Sequence, residues 1–399
     1  MRWVRRLSAS TVPLYAGGFL GPFGGGVVAP LIAPIAEGLH TSVGYVAGSI
    51  TAYMIPFATL QLVSGTIAER VGGGRVVRFG YILFGAASIL CALAPGIWTF
   101  MVGRALMGSG NAFLTPILLA ALHELVPSRT LGRAVGTFAA VQTAGIAFAP
   151  ALGGALGEIS WRLAFFLPAL VAIALAIPEL RVRTARERGE PQPGFRMLAN
   201  RWIALLATTA TAGYLGFTAI GFVVALVCAS EFGLGTGVTG LVVAAYGLGG
   251  VAFGRYAGGR VDRGDRPRIA FLGGLTCAVT VLSLVFVQTP WGFGLVYFAV
   301  GVAGAFAWTA LNTIVVESFP VNRAGAVSVY SAFKFVGVAL GPIVYVPLYD
   351  ANARLPFVLA AGLSTVFALL VLPWMGRYAR PRRKGPKEPG LSEAREAPL

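Results

Sequence analysis

Twelve long, nearly continuous apolar segments constrain this chain more than any other feature. Each is close to the length of a helix that crosses a bilayer, about 20 residues. Apolar and polar residues do not alternate within them, which excludes the strands of a membrane barrel. The segments, called predicted spans 1 to 12, lie near 11–36, 43–68, 76–94, 97–121, 133–157, 162–179, 203–229, 237–257, 269–288, 292–315, 325–348 and 354–375.

The composition agrees with an integral membrane protein. Of the 399 residues, 56% are hydrophobic and only 12% are charged, whereas soluble domains carry about 25% charged residues. The net charge of +16 does not indicate a nucleic-acid partner, because the basic residues follow a membrane topology. The three cysteines lack the spacing of a metal or redox site, so no metal or cofactor is predicted.

Basic residues are concentrated in alternate loops. With the N-terminus placed inside, 27 of the 31 lysines and arginines fall in inside segments. Only Arg162 and Arg354 fall in outside loops, while Arg104 and Lys334 fall within spans. The positive-inside rule therefore predicts that both termini are cytoplasmic. We expect a multi-pass protein of a bacterial-type inner (plasma) membrane.

The two halves of the sequence repeat each other. A duplicated six-helix unit is typical of transporters whose substrate site lies between the halves near the membrane midplane. We expect a six-helix bundle over 1–180, a cytoplasmic central loop over 181–201, a second six-helix bundle over 202–376 and a disordered cytoplasmic tail over 377–399. The matching residues, 193 positions apart, are Tyr53 and Tyr246, Gly65 and Gly258, Glu69-Arg70 and Asp262-Arg263, Trp98 and Trp291, Glu124 and Glu317, and Pro127 and Pro320.

A stretch of small residues and proline also occurs in both halves. Small residues at four-residue spacing let helix backbones approach closely, and a proline inside a helix frees a backbone carbonyl. Spacing alone indicates a kinked face on which another helix packs. The residues are Gly145, Ala149, Pro150, Gly153 and Gly154 in predicted span 5, and Gly337, Gly341 and Pro342 in predicted span 11, offset by 192.

Four motifs, in this order along the chain, resemble the major facilitator superfamily. The first is the loop motif G-x3-D-R-x-G-[RK]-[RK], matched by Gly65, Glu69, Arg70, Gly72 and Arg75, with Glu for Asp and the basic residue displaced. The second is R-x-x-Q-G, matched by Arg104 and Gly108 with Met107 for Gln. The third is the antiporter motif, matched by the span 5 stretch with Ala149 for a glycine. The fourth is Trp161-Arg162 followed by Phe165-Phe166.

The resemblance implies an all-α membrane fold of twelve helices in two pseudo-symmetric six-helix bundles. Its motifs are more similar to those of drug:proton antiporters than to those of sugar symporters. It also implies that the small-residue stretches control leak and the direction of exchange. A cytoplasmic gate is implied at the loop after span 2 and at its counterparts Gly258, Asp262 and Arg263. From the residues alone, the arginines of this loop could instead only set the topology.

Two charged residues lie inside predicted spans. A charge at the bilayer centre costs roughly 2.5–3.5 kcal/mol, so each needs water or a partner. For Arg104 the resemblance implies a role in proton coupling, while a structural arginine bonded to backbone carbonyls is the alternative. Lys334, whose repeat counterpart is Gln142, is expected to face the central cavity, where it could bind an anionic group or exchange a proton.

The remaining candidates form a mainly apolar and aromatic cavity with few polar groups. Such a lining suits amphipathic solutes better than sugars. All 15 acidic residues lie in loops, tails or span ends, so no carboxylate is expected in the cavity. The candidate lining residues, besides Lys334, Arg104 and Gln142, are Tyr53, Asn111, Tyr246, Trp308, Asn312 and Tyr330.

The sequence therefore predicts a secondary active transporter and not an enzyme. It would move a small amphipathic or drug-like solute across the inner membrane by alternating access, as a monomer in lipid. The resemblance implies that the protein exports the solute and that protons drive the export. One alternative is a uniporter or exchanger of an organic anion that uses Lys334 and Arg104. Another is a membrane sensor that transports nothing. Neither the substrate nor the direction of transport follows from the residues.

Overall fold

A computed structural model describes residues 2–126, 128–177, 200–319 and 323–379. The predicted central loop (181–201) and tail (377–399) lie almost entirely outside these ranges. Within them the chain is helical, and twelve helical segments follow the predicted order. We number them spans 1 to 12, and the predicted all-α class is confirmed.

The bounds of the spans differ from the predicted ones mainly at their ends. Ten spans are long and apolar enough to cross a membrane. Span 6 is a shorter apolar helix, and span 9 has 18 residues. The helices are Arg2–Gly26, Ala29–Leu31 and Ile32–Gly38 (span 1), Val43–Val71 (span 2), Gly73–Ala92 (span 3), Ile97–Ala112 and Thr115–Leu125 (span 4), Ser128–Gly157 (span 5), Leu163–Ala176 (span 6), Arg201–Gly213, Tyr214–Thr218 and Gly221–Ser230 (span 7), Thr236–Arg263 (span 8), Arg266–Ser283 (span 9), Pro290–Ser318 (span 10), Arg323–Ala351 (span 11) and Leu355–Ala379 (span 12).

Three spans are interrupted partway along. Span 1 tightens into a 3₁₀ turn at Ala29–Leu31, where Pro30 cannot donate a backbone hydrogen bond. The helix of span 4 is interrupted, and a second helix of the same span begins at Thr115. Span 7 widens into a π-helix at Tyr214–Thr218, a feature often found at functional sites. In lipid such breaks are tolerated only where protein or a cavity surrounds them.

The helices of the two halves pair in the same way. In the first half, span 1 packs on span 5, span 2 on span 4, and span 3 on spans 4 and 6. In the second half, span 7 packs on span 11, span 8 on span 10, and span 9 on spans 10 and 12. Each pairing is repeated six spans later, so the sequence repeat corresponds to two six-helix bundles of the same design.

Glycines allow the closest helix crossings inside each bundle. A Cβ added at Gly108 in span 4 would collide with the carbonyl of Tyr53 in span 2. A Cβ added at Gly301 in span 10 would collide with the carbonyl of Tyr246 in span 8. These residues are again 193 positions apart. The backbones touch at equivalent points of the two bundles because neither glycine has a side chain.

The two bundles meet along two pairs of spans, 5 with 8 and 2 with 11. Spans 5 and 8 touch through backbone, since a Cβ at Gly154 would collide with the carbonyl of Thr236. Spans 2 and 11 touch through side chains. Thr51 Oγ1 donates to the Ala339 carbonyl at 2.6 Å, and the rings of Phe57 and Phe335 are 4.4 Å apart between centroids.

The bundles are in contact at one face of the molecule and apart at the other. We call the face where span 1 begins and span 12 ends the termini face, and the other the opposite face. At the opposite face Glu158, after span 5, accepts a hydrogen bond from Gly237 N at 2.6 Å. Thr236 Oγ1 lies 2.9 Å from the Gly154 carbonyl and 3.1 Å from the Glu158 carboxylate, and its one proton is shared between these two acceptors of span 5 and its end. Toward the termini face most residues over 251–260 of span 8 are exposed, and a Cβ at Gly254 would meet nothing within 4 Å. The conformation is therefore closed at the opposite face and open toward the termini face.

The two arginines of the predicted outside loops bind helix ends. Arg162 Nη1 donates to the carbonyls of Ala92 at 2.5 Å and Ala94 at 3.2 Å, at the end of span 3. Arg354, 192 positions later, donates to the Leu284 carbonyl at 3.4 Å, at the end of span 9. A cation at a helix C-terminus satisfies free carbonyls and the helix dipole. These contacts give both arginines a structural role, which explains why they lie in loops that hold no other basic residue.

Removing the Glu158 carboxylate should weaken closure at the opposite face. In Glu158→Ala the first turn of span 8 loses the acceptor of Gly237 N, while Thr236 Oγ1 can still donate to the Gly154 carbonyl, and a carboxylate at a helix N-terminus contributes about 1 kcal/mol. We expect opening of this face to become up to about fivefold more frequent. The rate at which a cavity cysteine reacts with an impermeant maleimide measures it. Glu231→Ala is the control, because it removes the ion pair of Glu231 with Arg354 inside one bundle, and an equal rate increase in both variants would contradict this role.

Candidate substrate cavity

A cavity of about 260 Å³ lies between the two bundles. The walls come from spans 1, 2, 4 and 5 of the first half and from spans 7, 8, 10 and 11 of the second. The interruptions of spans 1, 4 and 7 all face it, through Ala29, Thr115, Tyr214 and Thr218. Both halves thus contribute equivalent helices, and irregular backbone is placed where it borders a cavity.

The wall is apolar and aromatic with a few polar groups. Several of these groups already have hydrogen-bond partners. Tyr53 OH donates to the Gly21 carbonyl at 2.9 Å, and the hydroxyls of Tyr246 and Thr218 are 3.1 Å apart. The polar residues in the described wall are Tyr53, Asn111, Thr115, Gln142, Tyr214, Thr218, Tyr246, Tyr297 and Lys334, with no aspartate or glutamate among them.

Lys334 contributes the one full charge in the described wall. Its Nζ lies 5.2 Å from the ring centroid of Tyr214, 5.3 Å from that of Tyr330 and 5.7 Å from that of Phe335. Among the described residues it forms no ion pair. Aromatic faces attract a cation but carry no net negative charge. The ammonium is therefore held in place without being neutralised.

Arg104 lies behind the wall and not in it. Its side chain is 0% exposed, and its guanidinium carbon stands 4.4 Å from the ring centroid of Tyr53. Nη1 donates to the Gly24 carbonyl at 2.7 Å, in the last turn of the first helix of span 1. The cation therefore binds a carbonyl freed by the interruption of that span. This contact is the one expected of a structural arginine, and the proton-coupling role of Arg104 stays a prediction.

The repeat places an aromatic residue where Arg104 stands in the first half. Tyr297, 193 positions after Arg104, stacks on Tyr246 with centroids 5.3 Å apart. Each cavity tyrosine of the repeat pair is thus covered from behind, by a cation in one bundle and by a ring in the other. The guanidinium of Arg104, in the first bundle, is therefore hidden from the cavity, whereas the ammonium of Lys334, in the second bundle, faces it.

Three other predicted lining residues stand outside the described wall. Trp308 forms a second layer, with its ring 4.3 Å from that of Tyr214 between centroids. Tyr330 is buried beside Lys334, and Asn312 is exposed away from the cavity wall. Conversely, no pattern in the sequence indicated that Tyr214, which lies in the π-helix, or Thr115 would line the cavity. Tyr297 could have been found as the repeat counterpart of Arg104.

The predicted gate residues lie at the termini face. Gly72 ends span 2 with φ of +102°, a conformation that favours glycine. Arg70 and Arg75 are exposed there, as is Gly65. In the second half, the counterpart Gly258 is partly exposed, and Asp262 and Arg263 are exposed at the end of span 8. Their role as a gate stays a prediction.

The small-residue stretch of span 5 has two packing faces. A Cβ at Gly145 would lie 2.7 Å from the Phe19 carbonyl and one at Gly153 2.9 Å from the Val27 carbonyl, both in span 1. Ala149, between them, contacts span 1 at Gly26. Gly154 instead faces span 8, and Pro150 contacts span 8 and borders the cavity.

In the matching stretch of span 11 the two glycines pack toward their own bundle. Gly337 approaches the Thr211 carbonyl in span 7, where an added Cβ would lie 2.7 Å away. Gly341 approaches Ala219, also in span 7, and Pro342 is buried. The two stretches are therefore equivalent in how they hold the first helix of each half. They differ where the bundles meet.

Comparison with known proteins identifies the class. The family model of the Major Facilitator Superfamily matches residues 14–212 and 206–399. The chain therefore belongs to this superfamily of membrane transporters. Membership of a transporter superfamily, and not of an enzyme family, agrees with the predicted class. The D-xylose-proton symporter crystal structure has the same fold, with a TM-score of 0.76 over 90% of this chain and 96% of that one at 16% identity.

Of two relatives of similar length, one is named as an efflux protein and the other as a drug-resistance protein. The chain is 28% identical to the multidrug efflux protein YfmO of Bacillus subtilis, over 88% of this chain and 89% of that protein. It is 21% identical to the quinolone resistance protein NorA of Staphylococcus aureus, over 90% and 95%. It spans only 61% of the uncharacterized MFS-type transporter Rv1250 of Mycobacterium tuberculosis, at 25% identity, and 31% of EfpA from the same species, at 35%.

Proposed function

We propose that this chain exports small amphipathic or drug-like solutes by alternating access. The cavity between the bundles carries the proposal, because a mainly apolar and aromatic wall with few polar groups suits such solutes. The name of YfmO, a multidrug efflux protein, supports export, and that of NorA, a quinolone resistance protein, supports drug-like solutes. We also propose that residues 1–180 and 202–376 act as the two moving units of a monomer in lipid.

The proposed cycle follows from how the bundles touch. We propose that the termini face is cytoplasmic, because the basic loops lie there. In the described conformation a solute would then enter from the cytoplasm. Release would require spans 5 and 8 to separate where Glu158 binds Gly237 and Thr236. The gate residues after spans 2 and 8 would close the cytoplasmic side in that second state.

Protons are the proposed coupling ion, on the strength of the antiporter-like motifs. The described cavity wall holds no carboxylate to carry them. Lys334 is the one lysine, arginine, histidine or acid in that wall. An organic-anion exchanger or uniporter is therefore the second candidate, and Lys334 is the observation that favours it.

Transport into everted membrane vesicles tests the function. The probes are ethidium, Nile red and 1-anilinonaphthalene-8-sulfonate, which are cationic, neutral and anionic amphipathic solutes. We expect at least one to accumulate severalfold above vesicles that lack the protein, and accumulation to collapse when nigericin removes the pH gradient. If none accumulates, the transport proposal fails. Accumulation that ignores the gradient refutes proton coupling and leaves the exchanger or uniporter.

A further inference from the structure

The charge in the cavity has no counter-charge. Lys334 is half-buried among Tyr214, Tyr330 and Phe335. The described wall contains no acidic residue, so the site as a whole is cationic. In a cavity of low dielectric constant an uncompensated charge attracts an opposite charge far more strongly than in water. An ammonium without a counter-charge in such a cavity is therefore able to bind an anion.

We propose that the cavity selects aromatic monoanions, with the carboxylate or sulfonate of the solute at Lys334 Nζ and its ring beside Tyr214 and Phe335. This inference rests on the proposed transport function and names its substrate class. A monoanion would neutralise the site. A cation would add a second positive charge to it, and a neutral solute would leave the ammonium unpaired.

The aromatic part of the solute follows from the residues around the ammonium. The rings of Tyr214 and Phe335 are 6.3 Å apart between centroids in an edge-on arrangement, and Phe57 packs against Phe335 at 4.4 Å. Aromatic pairs favour edge-to-face or offset stacking with centroids about 4.5–7 Å apart. A flat ring beside this cluster can make such contacts while its acidic group reaches Nζ.

Arg104 is not part of this anion site. Its side chain is fully buried, the ring of Tyr53 covers its guanidinium, and Nη1 is bonded to Gly24. A solute in the cavity meets Tyr53 and not Arg104. The position equivalent to Lys334 in the first half is Gln142, which is neutral and also borders the cavity. The anion is therefore held by the second bundle alone, and Gln142 is left to hydrogen-bond neutral groups.

Three probes with one ring system and different charges test the inference. They are 2-naphthoate, 2-naphthamide and 2-naphthylmethylammonium. Their binding to purified protein in detergent is measured by isothermal titration calorimetry, which depends neither on transport nor on a reporter ligand. We expect naphthoate to bind at least tenfold more tightly than naphthamide, and the ammonium compound to bind most weakly. Equal binding of naphthoate and naphthamide to the wild-type protein overturns the inference.

Variants locate the effect at Lys334. In Lys334→Gln the preference for naphthoate over naphthamide should fall to less than threefold, while Lys334→Arg should keep most of it. The control is Arg260→Gln, which removes an exposed charge from span 8 outside the cavity wall and should leave the preference intact. A preference that survives Lys334→Gln, or that is lost equally in Arg260→Gln, overturns the inference. Dye transport by the wild-type protein without any preference for anions would refute this substrate class and leave the proposed export function standing.

Discussion

A valine at position 154 should stop transport while leaving the protein folded. Gly154 lies where span 5 meets span 8 at the opposite face, and an added Cβ there would collide with the Thr236 carbonyl. Side chains forced into such contacts cost about 1–3 kcal/mol. This overpacking destabilises only the conformation that is closed at the opposite face. In the alternative conformation the two bundles separate there, so the added side chain meets no backbone. We therefore expect the balance between the two conformations to shift by about 10- to 100-fold toward opening at the opposite face.

The shift can be read from a cysteine placed in the cavity at Ala29, near the opposite-face end of span 1. An impermeant maleimide applied from the opposite face should label Ala29→Cys at least tenfold faster when Gly154→Val is also present. The native Cys91, Cys228 and Cys277 are buried and provide a silent background. Dye transport should fall below a tenth of the wild-type rate.

A matched variant separates closure from general disturbance of the helices. A Cβ at Gly362, an exposed position of span 12 away from the contacts between spans 5 and 8 and between spans 2 and 11, would meet nothing within 4 Å. Gly362→Val should therefore keep both the wild-type labelling rate and transport. If Gly154→Val transports normally with unchanged labelling, the contact between spans 5 and 8 does not control access to the cavity.

The number and order of the spans could be predicted from sequence because lipid leaves few choices. A backbone in a bilayer must satisfy its own hydrogen bonds, so a long apolar segment forms a helix. The repeat then indicated which helices are equivalent. The repeat made Lys334 the counterpart of Gln142, and both residues border the cavity. Equivalence under the repeat was a better guide than residue type alone.

Residue type misled where a second layer of side chains exists. Arg104 and Trp308 are polar enough to suggest a cavity wall, yet they lie behind Tyr53 and Tyr214. Depth within a helix does not say which neighbour covers a side chain. The π-helix at Tyr214–Thr218 left no mark in the sequence either, because its glycine and aromatic residues are equally common in regular membrane helices. Its packing against Ser364 and Tyr345 depends on residues far away in the chain.

Alanine at Gly108 or at Gly301 should prevent stable folding, and by similar amounts. At each site the added methyl group would meet the backbone of the neighbouring span, which cannot rotate aside as a side chain can. Overpacking costs about 1–3 kcal/mol where side chains can yield, so we expect at least the upper end of that range. The measurements are the yield of monodisperse protein in detergent and its melting temperature. Gly294→Ala in span 10 is the control, since its Cβ would come no closer than 4.0 Å to Val242.

The comparison between the two variants tests the repeat itself. If the bundles are equivalent in structure, the crossing of span 2 with span 4 corresponds to that of span 8 with span 10, and both variants should fail alike. A large loss in Gly108→Ala with little loss in Gly301→Ala would show that the second bundle can shift its helices apart. Such freedom in one bundle would contradict the equal crossings at Tyr53 and Tyr246. Alternating access requires two units that move as rigid bodies, and these two glycines lie at equivalent, close backbone crossings inside the two units.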